Sequence, residues 1–308
     1  MSESPAYLDK PHCAPAPPSR QILGADGFRA TLRQALRREH GLIPPLLAAR
    51  FSLKPGAHRP AAALLEAAVA AQFRRMSLAA CLLRSAGESP CLTDRGFLPD
   101  YPESLPLSAA HAPPLGIERF APRLLRETLL PHLSPPDGAP GPYRSLRRRL
   151  ESGDAAIVLA ASGNQALAAL ERPSGRDALL ADELSDFASH QQDRDFDHDG
   201  VWAMPANASI LHHPASSAER KLLTRFAACY ARMLSALEPV LGDSRLLLEQ
   251  AEGPLFDLRL LAAGLMNPAA FSPVSGSNSP PLGLCFVRPK PEAFRATQKA
   301  RMRTCGLF

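Results

Sequence analysis

Apolar residues recur at three- and four-residue intervals over several long stretches of this chain, the spacing of helices with one buried face. Asp26 occupies an N-cap position, Phe28, Leu32, Ala35 and Leu36 follow on one face, and Gly41 marks a stop. The longest pattern covers residues 60 to 86. Pro60 suits a first helical turn, Leu64, Leu65, Val69, Phe73, Met76, Ala80 and Leu83 form the stripe, and Gly87 closes it. Arg37 and Arg38 on the first helix, and Arg74 and Arg75 on this one, read as charged faces turned to water.

The second half is patterned as clearly. Ser216-Ser217-Ala218-Glu219 fits a capping box, in which serine and glutamate satisfy each other's open backbone donors. Leu222, Leu223, Phe226, Ala227, Tyr230, Met233, Leu234 and Leu237 then share one broad face that ends at Pro239. A further helix begins at Ser244, and Gly253-Pro254 breaks or kinks it before Leu255 to Leu265, so two antiparallel helices joined by a short turn are expected. Residues 144 to 149 open another helix, and its partner is Ala155 to Leu170. Within that partner Ile157-Val158-Leu159 reads equally as a buried strand, because so short a run has no decisive period. Leu284 to Val287 is a second strand candidate.

Between these patterned halves the character changes. Residues 90 to 142 hold 12 of the 32 prolines, with one short helix expected at Ile117 to Leu130. The expected organisation is a disordered leader (1–22), an N-terminal helical region (23–89), a proline-rich linker or irregular lobe (90–142), a mainly helical C-terminal domain (143–287) and a basic tail (288–308). Composition agrees with helices. Aromatics are 6% of the 308 residues, so the core must be built from Leu and Ala, which favour helix over sheet. The fold expected is mainly α: a multi-helix globular core with a proline-rich irregular middle and at most a small β element.

Charge and cysteine usage narrow the function classes. No run of about 18 uncharged apolar residues could span a bilayer. The Ser/Pro-rich Met1 to Arg20 has no apolar segment of a secretory signal, although such leaders also serve signal-independent export. Six scattered cysteines show no Cys-x-x-Cys pair, which fits reduced thiols of a cytoplasmic protein. The net charge of +5 concentrates in Arg288, Lys290, Arg295, Lys299, Arg301 and Arg303. Such a tail suits an acidic protein partner or, by counterion release, nucleic acid.

Candidate chemistry gathers in one stretch. Asp195-Phe196-Asp197-His198-Asp199-Gly200 opens like a calcium loop, with alternate carboxylates and a glycine at the turn. The twelfth position, which should be a bidentate glutamate, is Ala206. Asp193, His190 and His213 lie nearby, so Asp193, Asp195, Asp197, Asp199, His190, His198 and His213 form a candidate set for a divalent metal, against the alternative of a solvated loop. His-Glu-x-x-His is absent, as are the paired Glu-x-x-His motifs of carboxylate bundles, phosphate loops and nucleophile elbows. The leading expectation is a cytoplasmic accessory or protein-interaction protein without catalysis, engaging its partner through Ser216 to Leu265 and the tail. The alternatives are a metal-dependent enzyme with its site within residues 190–213, and nucleic-acid binding by the tail.

Overall fold

The structure, a computed structural model, describes residues 24 to 287 except residue 95 and the segments 109–111, 134–141, 154–156, 173–174, 192 and 268–279. The leader and the basic tail lie outside the described residues. The architecture is helical, and among the described residues the only β pairing is two isolated antiparallel bridges, Leu53 with Val201 and Glu103 with Leu115.

α1 (Ala25–Gly41) runs antiparallel to α3 (Arg59–Ser85): Arg29 Nε donates to Ala86 O near one end of the pair, and Gln72 Nε2 donates to Glu39 O further along. α2 (Ile43–Ser52) connects them. All ten of its residues are buried, so it has no amphipathic period and was not legible as a helix; Pro44 and Pro45 stand at its start, where no intrahelical donor is lost. α3 is the axis about which the other helices pack. It contacts α1, α2, α7, α8 and α10.

The proline-rich middle is irregular and packed. Leu92, Phe97, Leu105, Leu115, Ile117 and Phe120 all join the main core. It ends in a helix assembled from α4 (Pro122–Leu124), a π turn (Leu125–Leu129) and α5 (Leu130–Leu133). α6 (Pro142–Glu151) follows, then α7 (Ala161–Glu171) and α8 (Arg176–His190). The strand reading of Ile157-Val158-Leu159 is not realised: the run is irregular, with Leu159 buried in the core, Ile157 packed partly against it and Val158 exposed. Leu284 to Val287 is likewise irregular, with Leu284, Cys285 and Phe286 buried.

α9 (Ala218–Leu237) and α10 (Ser244–Met266) form the expected hairpin. Two local readings shift. The cap of α9 is Ser217 rather than Ser216, its hydroxyl accepting from Arg220 N at 3.1 Å. α10 continues through Pro254 without a break, because Leu247, Ala251, Leu258, Ala262 and Leu265 keep one buried face on both sides of it. No described helix is long and apolar enough to cross a membrane.

Candidate functional site: an ion cluster in the bundle and its cavity

The acidic loop is held by its apolar residue. Phe196 is buried, stacks on His58 at 4.3 Å between centroids, and meets Phe120 edge-on at 5.6 Å. The carboxylates serve the backbone. Asp193 Oδ1 accepts from Arg123 N at the start of α4 at 3.0 Å, and Asp197 Oδ1 accepts from Asp199 N at 2.9 Å. Asp195 lies beside Arg194, and His190 beside Asp186 on α8. His198 meets Phe196 edge-on, and His213 uses its carbonyl to accept from Arg220 Nη1 at 3.0 Å. Gly200 answers to packing: a Cβ there would lie 2.5 Å from His58 Nε2. The seven candidate ligands are therefore dispersed along the loop. Among the described residues, no three His, Cys, Asp or Glu side chains stand close enough together to hold a metal ion.

The chemistry that converges lies elsewhere, at the C-terminal end of α1. Phe28, Leu32, Ala35 and Leu36 make its buried face, and Glu39 and His40 continue that face at helical spacing, so both side chains enter the core. Arg38 is buried too, which corrects the reading of Arg37-Arg38 as an ordinary charged face. On α3, Gln72 is buried in the stripe, and Arg75, three residues on, turns inward to the same point rather than to water.

Glu39 is the centre of this cluster. Its Oε1 accepts from Arg38 Nη1 at 2.7 Å and from the Tyr143 hydroxyl of α6 at 2.6 Å. Its Oε2 accepts from Arg75 Nε at 2.9 Å and from Gln72 Nε2 at 2.5 Å. Burial alone pushes the carboxyl up. The guanidiniums of Arg75 and Arg38, with the hydrogen bonds of Tyr143 and Arg75, outweigh burial and lower it to about 2, so Glu39 is ionised at neutral pH. Arg75 also lies over the Tyr143 ring at 5.6 Å. His40 leaves the cluster towards α9, its Nε2 2.8 Å from the Tyr230 hydroxyl. Burial, and then Arg37, hold it at about 3, so it is neutral.

A cavity of about 470 Å³ opens beside the cluster, between α3, α5 and α8. Its polar wall carries Arg38, Arg74 and Arg75, the carboxylates Asp177 and Asp182, and Gln72, His132 and Ser244, while Leu78 and Leu184 represent its apolar one. Arg38 Nη2 donates to His132 O at 3.0 Å, but its Nε is buried without a partner among the described residues.

Residues 32–146, fewer than half of the chain, match the family model described as ferritin-like. Among solved structures, a ferritin-like protein from Caulobacter vibrioides, determined at 1.95 Å, superposes with a TM-score of 0.52. The match covers 76% of this chain and 94% of that one, at 14% identity. No curated protein matches. The fold is similar to that of ferritin-like proteins. At such low identity this similarity concerns the fold alone.

Ferritin-like carboxylate proteins hold two metal ions with a Glu from each of two helices and a Glu-x-x-His motif from each of two others. The residues here do not fit that group. On α3 the inward pair with i, i+3 spacing is Gln72 and Arg75, an amide and a cation. α9 and α10 bury Phe226, Tyr230, Met233, Leu247 and Leu258 and no carboxylate. Glu39 remains, with both oxygens occupied by donors.

Sequence reasoning missed Arg38, Glu39, Gln72, Arg75 and Tyr143. The signal was present: Glu39 and Gln72 are polar residues in phase with apolar stripes, which a solvated face does not explain.

Proposed function

We propose that this chain is an accessory protein without catalysis, whose bundle centre is an ion-pair cluster serving as scaffold and binding site. The observation that carries this reading is the state of Glu39, whose two oxygens take four donors within 2.9 Å. A divalent ion at Glu39 would displace those donors and stand beside two guanidiniums, where like charges repel strongly at low dielectric. An interaction role also fits the hairpin, since Phe256 and Leu260, one turn apart on α10, are exposed.

The test is thermal. Addition of iron(II), manganese(II) or zinc(II) at a few equivalents, or of a strong chelator, is expected to leave the melting temperature within about 1 °C. A protein that binds a structural metal gains stability by mass action, so a rise of several degrees with one metal, or a matching fall with chelator, would overturn the reading.

A further inference from the structure

We propose that the cavity between α3, α5 and α8 is a binding site for a small monoanionic molecule, a carboxylate with an apolar body. The inference rests on the reading of the bundle centre as an ion cluster and names the ligand that cluster would take.

The first observation is a charge count. Arg38 and Arg75 share one carboxylate, Glu39. The other charged residues at the cavity do not alter the surplus inside. Arg74 is matched by Asp177 in a two-point pair, with Nε to Oδ2 at 2.9 Å, Asp177 also attracts Arg75, and Asp182 is exposed to solvent, so three buried or half-buried guanidiniums face two carboxylates. His132, the nearest imidazole, is buried and donates no charge while neutral; its Nε2 lies 2.8 Å from Pro113 O. One positive charge is left over where a buried charge is costly unless paired.

The second observation is the unmet capacity of the cations themselves. Arg38 lines the cavity, but its Nη1 and Nη2 are taken by Glu39 and His132 O, and its Nε, without a partner among the described residues, is sealed from the space. The cation open to a ligand is therefore Arg75, whose side chain keeps 23% of its surface exposed. Arg75 makes its remaining contacts at longer range, Nη1 to Leu170 O at 3.4 Å and Nη2 to Glu39 Oε1 at 3.5 Å. Guanidiniums of this kind take carboxylates in charge-assisted, often bidentate, hydrogen bonds.

The third observation is the rest of the wall. Leu42, Ala68, Ala71, Leu133 and Leu180 face the same space, and a volume of about 470 Å³ is within the range of small-ligand sites. Apolar walls around a cationic end select a molecule that is anionic at one end only. Small inorganic anions would leave those walls uncovered.

The experiment is isothermal titration calorimetry on the full chain, with octanoate as probe and octan-1-ol as its uncharged counterpart. One-to-one binding of octanoate is expected, with octan-1-ol at least tenfold weaker. Arg75→Gln is expected to weaken octanoate binding tenfold or more and to leave octan-1-ol unchanged. Ala181→Trp, on the partly exposed face of α8 at the cavity, is expected to abolish both without disturbing the core. Circular dichroism establishes that each variant is folded. Equal affinity for the two probes, absence of saturable octanoate binding, or octanoate binding unchanged in Ala181→Trp would each overturn the proposal. Metal analysis of the same sample separates the failures: metal-free protein that binds no octanoate refutes only the ligand site, while metal-loaded protein refutes the ion-cluster reading.

Discussion

Two buried titratable groups on adjacent residues of α1 set an acid limit to stability. His40 is neutral when folded, at about 3, and free to protonate near 6.5 when unfolded. The unfolded state therefore gains a proton first as pH falls, and stability declines from about pH 6.5 downwards. Glu39 adds to this lower down. Its folded value of about 2 against 4.5 contributes about 3 kcal/mol above pH 5, lost as pH falls towards 2. Urea unfolding at stepped pH should show stability falling from pH 6.5, more steeply below 4.5. Glu39→Gln should cost about 3–5 kcal/mol at pH 7 by leaving two guanidiniums unneutralised, and should remove the steep lower limb. A flat profile between pH 7 and 4 would contradict these assignments. In the acidic loop the apolar residue is the one that matters: Phe196→Ala should cost about 3 kcal/mol, whereas Asp195→Ala, at an exposed carboxylate, should stay within about 0.5 kcal/mol. Comparable losses for the two would contradict the account of the loop. Asp195 to Gly200 is legible as a special loop, but its spacing does not tell its chemistry, because alternating carboxylates look the same whether they converge on an ion or cap nearby backbone.

At the scale of elements, the close approach of α3 and α7 depends on a missing side chain. A Cβ on Gly163 would lie 2.5 Å from Ser85 Cβ, which no rotation of Ser85 relieves. Gly163→Ala should therefore destabilise the protein by about 1–3 kcal/mol, and Ser85→Gly in the same chain should restore most of the loss. Denaturant unfolding of the three variants checks this, and independent effects of the two changes would contradict it. The helices with one polar face, α1, α3 and α9, were legible from periodicity almost to their ends. α2 was not, since a helix buried all round has no polar positions to set its phase. Gly253-Pro254 reads as a break or a kink in α10, yet the helix runs on through it, since a single lost hydrogen bond is tolerated when the apolar register continues beyond it. The polar members of the buried stripes, Glu39 and Gln72, were visible but unassigned, because the groups that meet at Glu39 come from other helices, Gln72 and Arg75 from α3 and Tyr143 from α6, which only the fold brings near.

In the whole molecule, fold and central chemistry part company. The helical arrangement is similar to that of ferritin-like proteins, while the positions facing its centre carry an amide, two guanidiniums and a phenol around one carboxylate. A fold does not carry its function with it; the residues at the site decide. Purification of the full chain from iron- and manganese-supplemented medium, followed by elemental analysis by inductively coupled plasma mass spectrometry, tests this most directly. Less than about a tenth of an equivalent of any transition metal per chain is expected. One or two equivalents of iron or manganese, lost in Glu39→Gln, would contradict it.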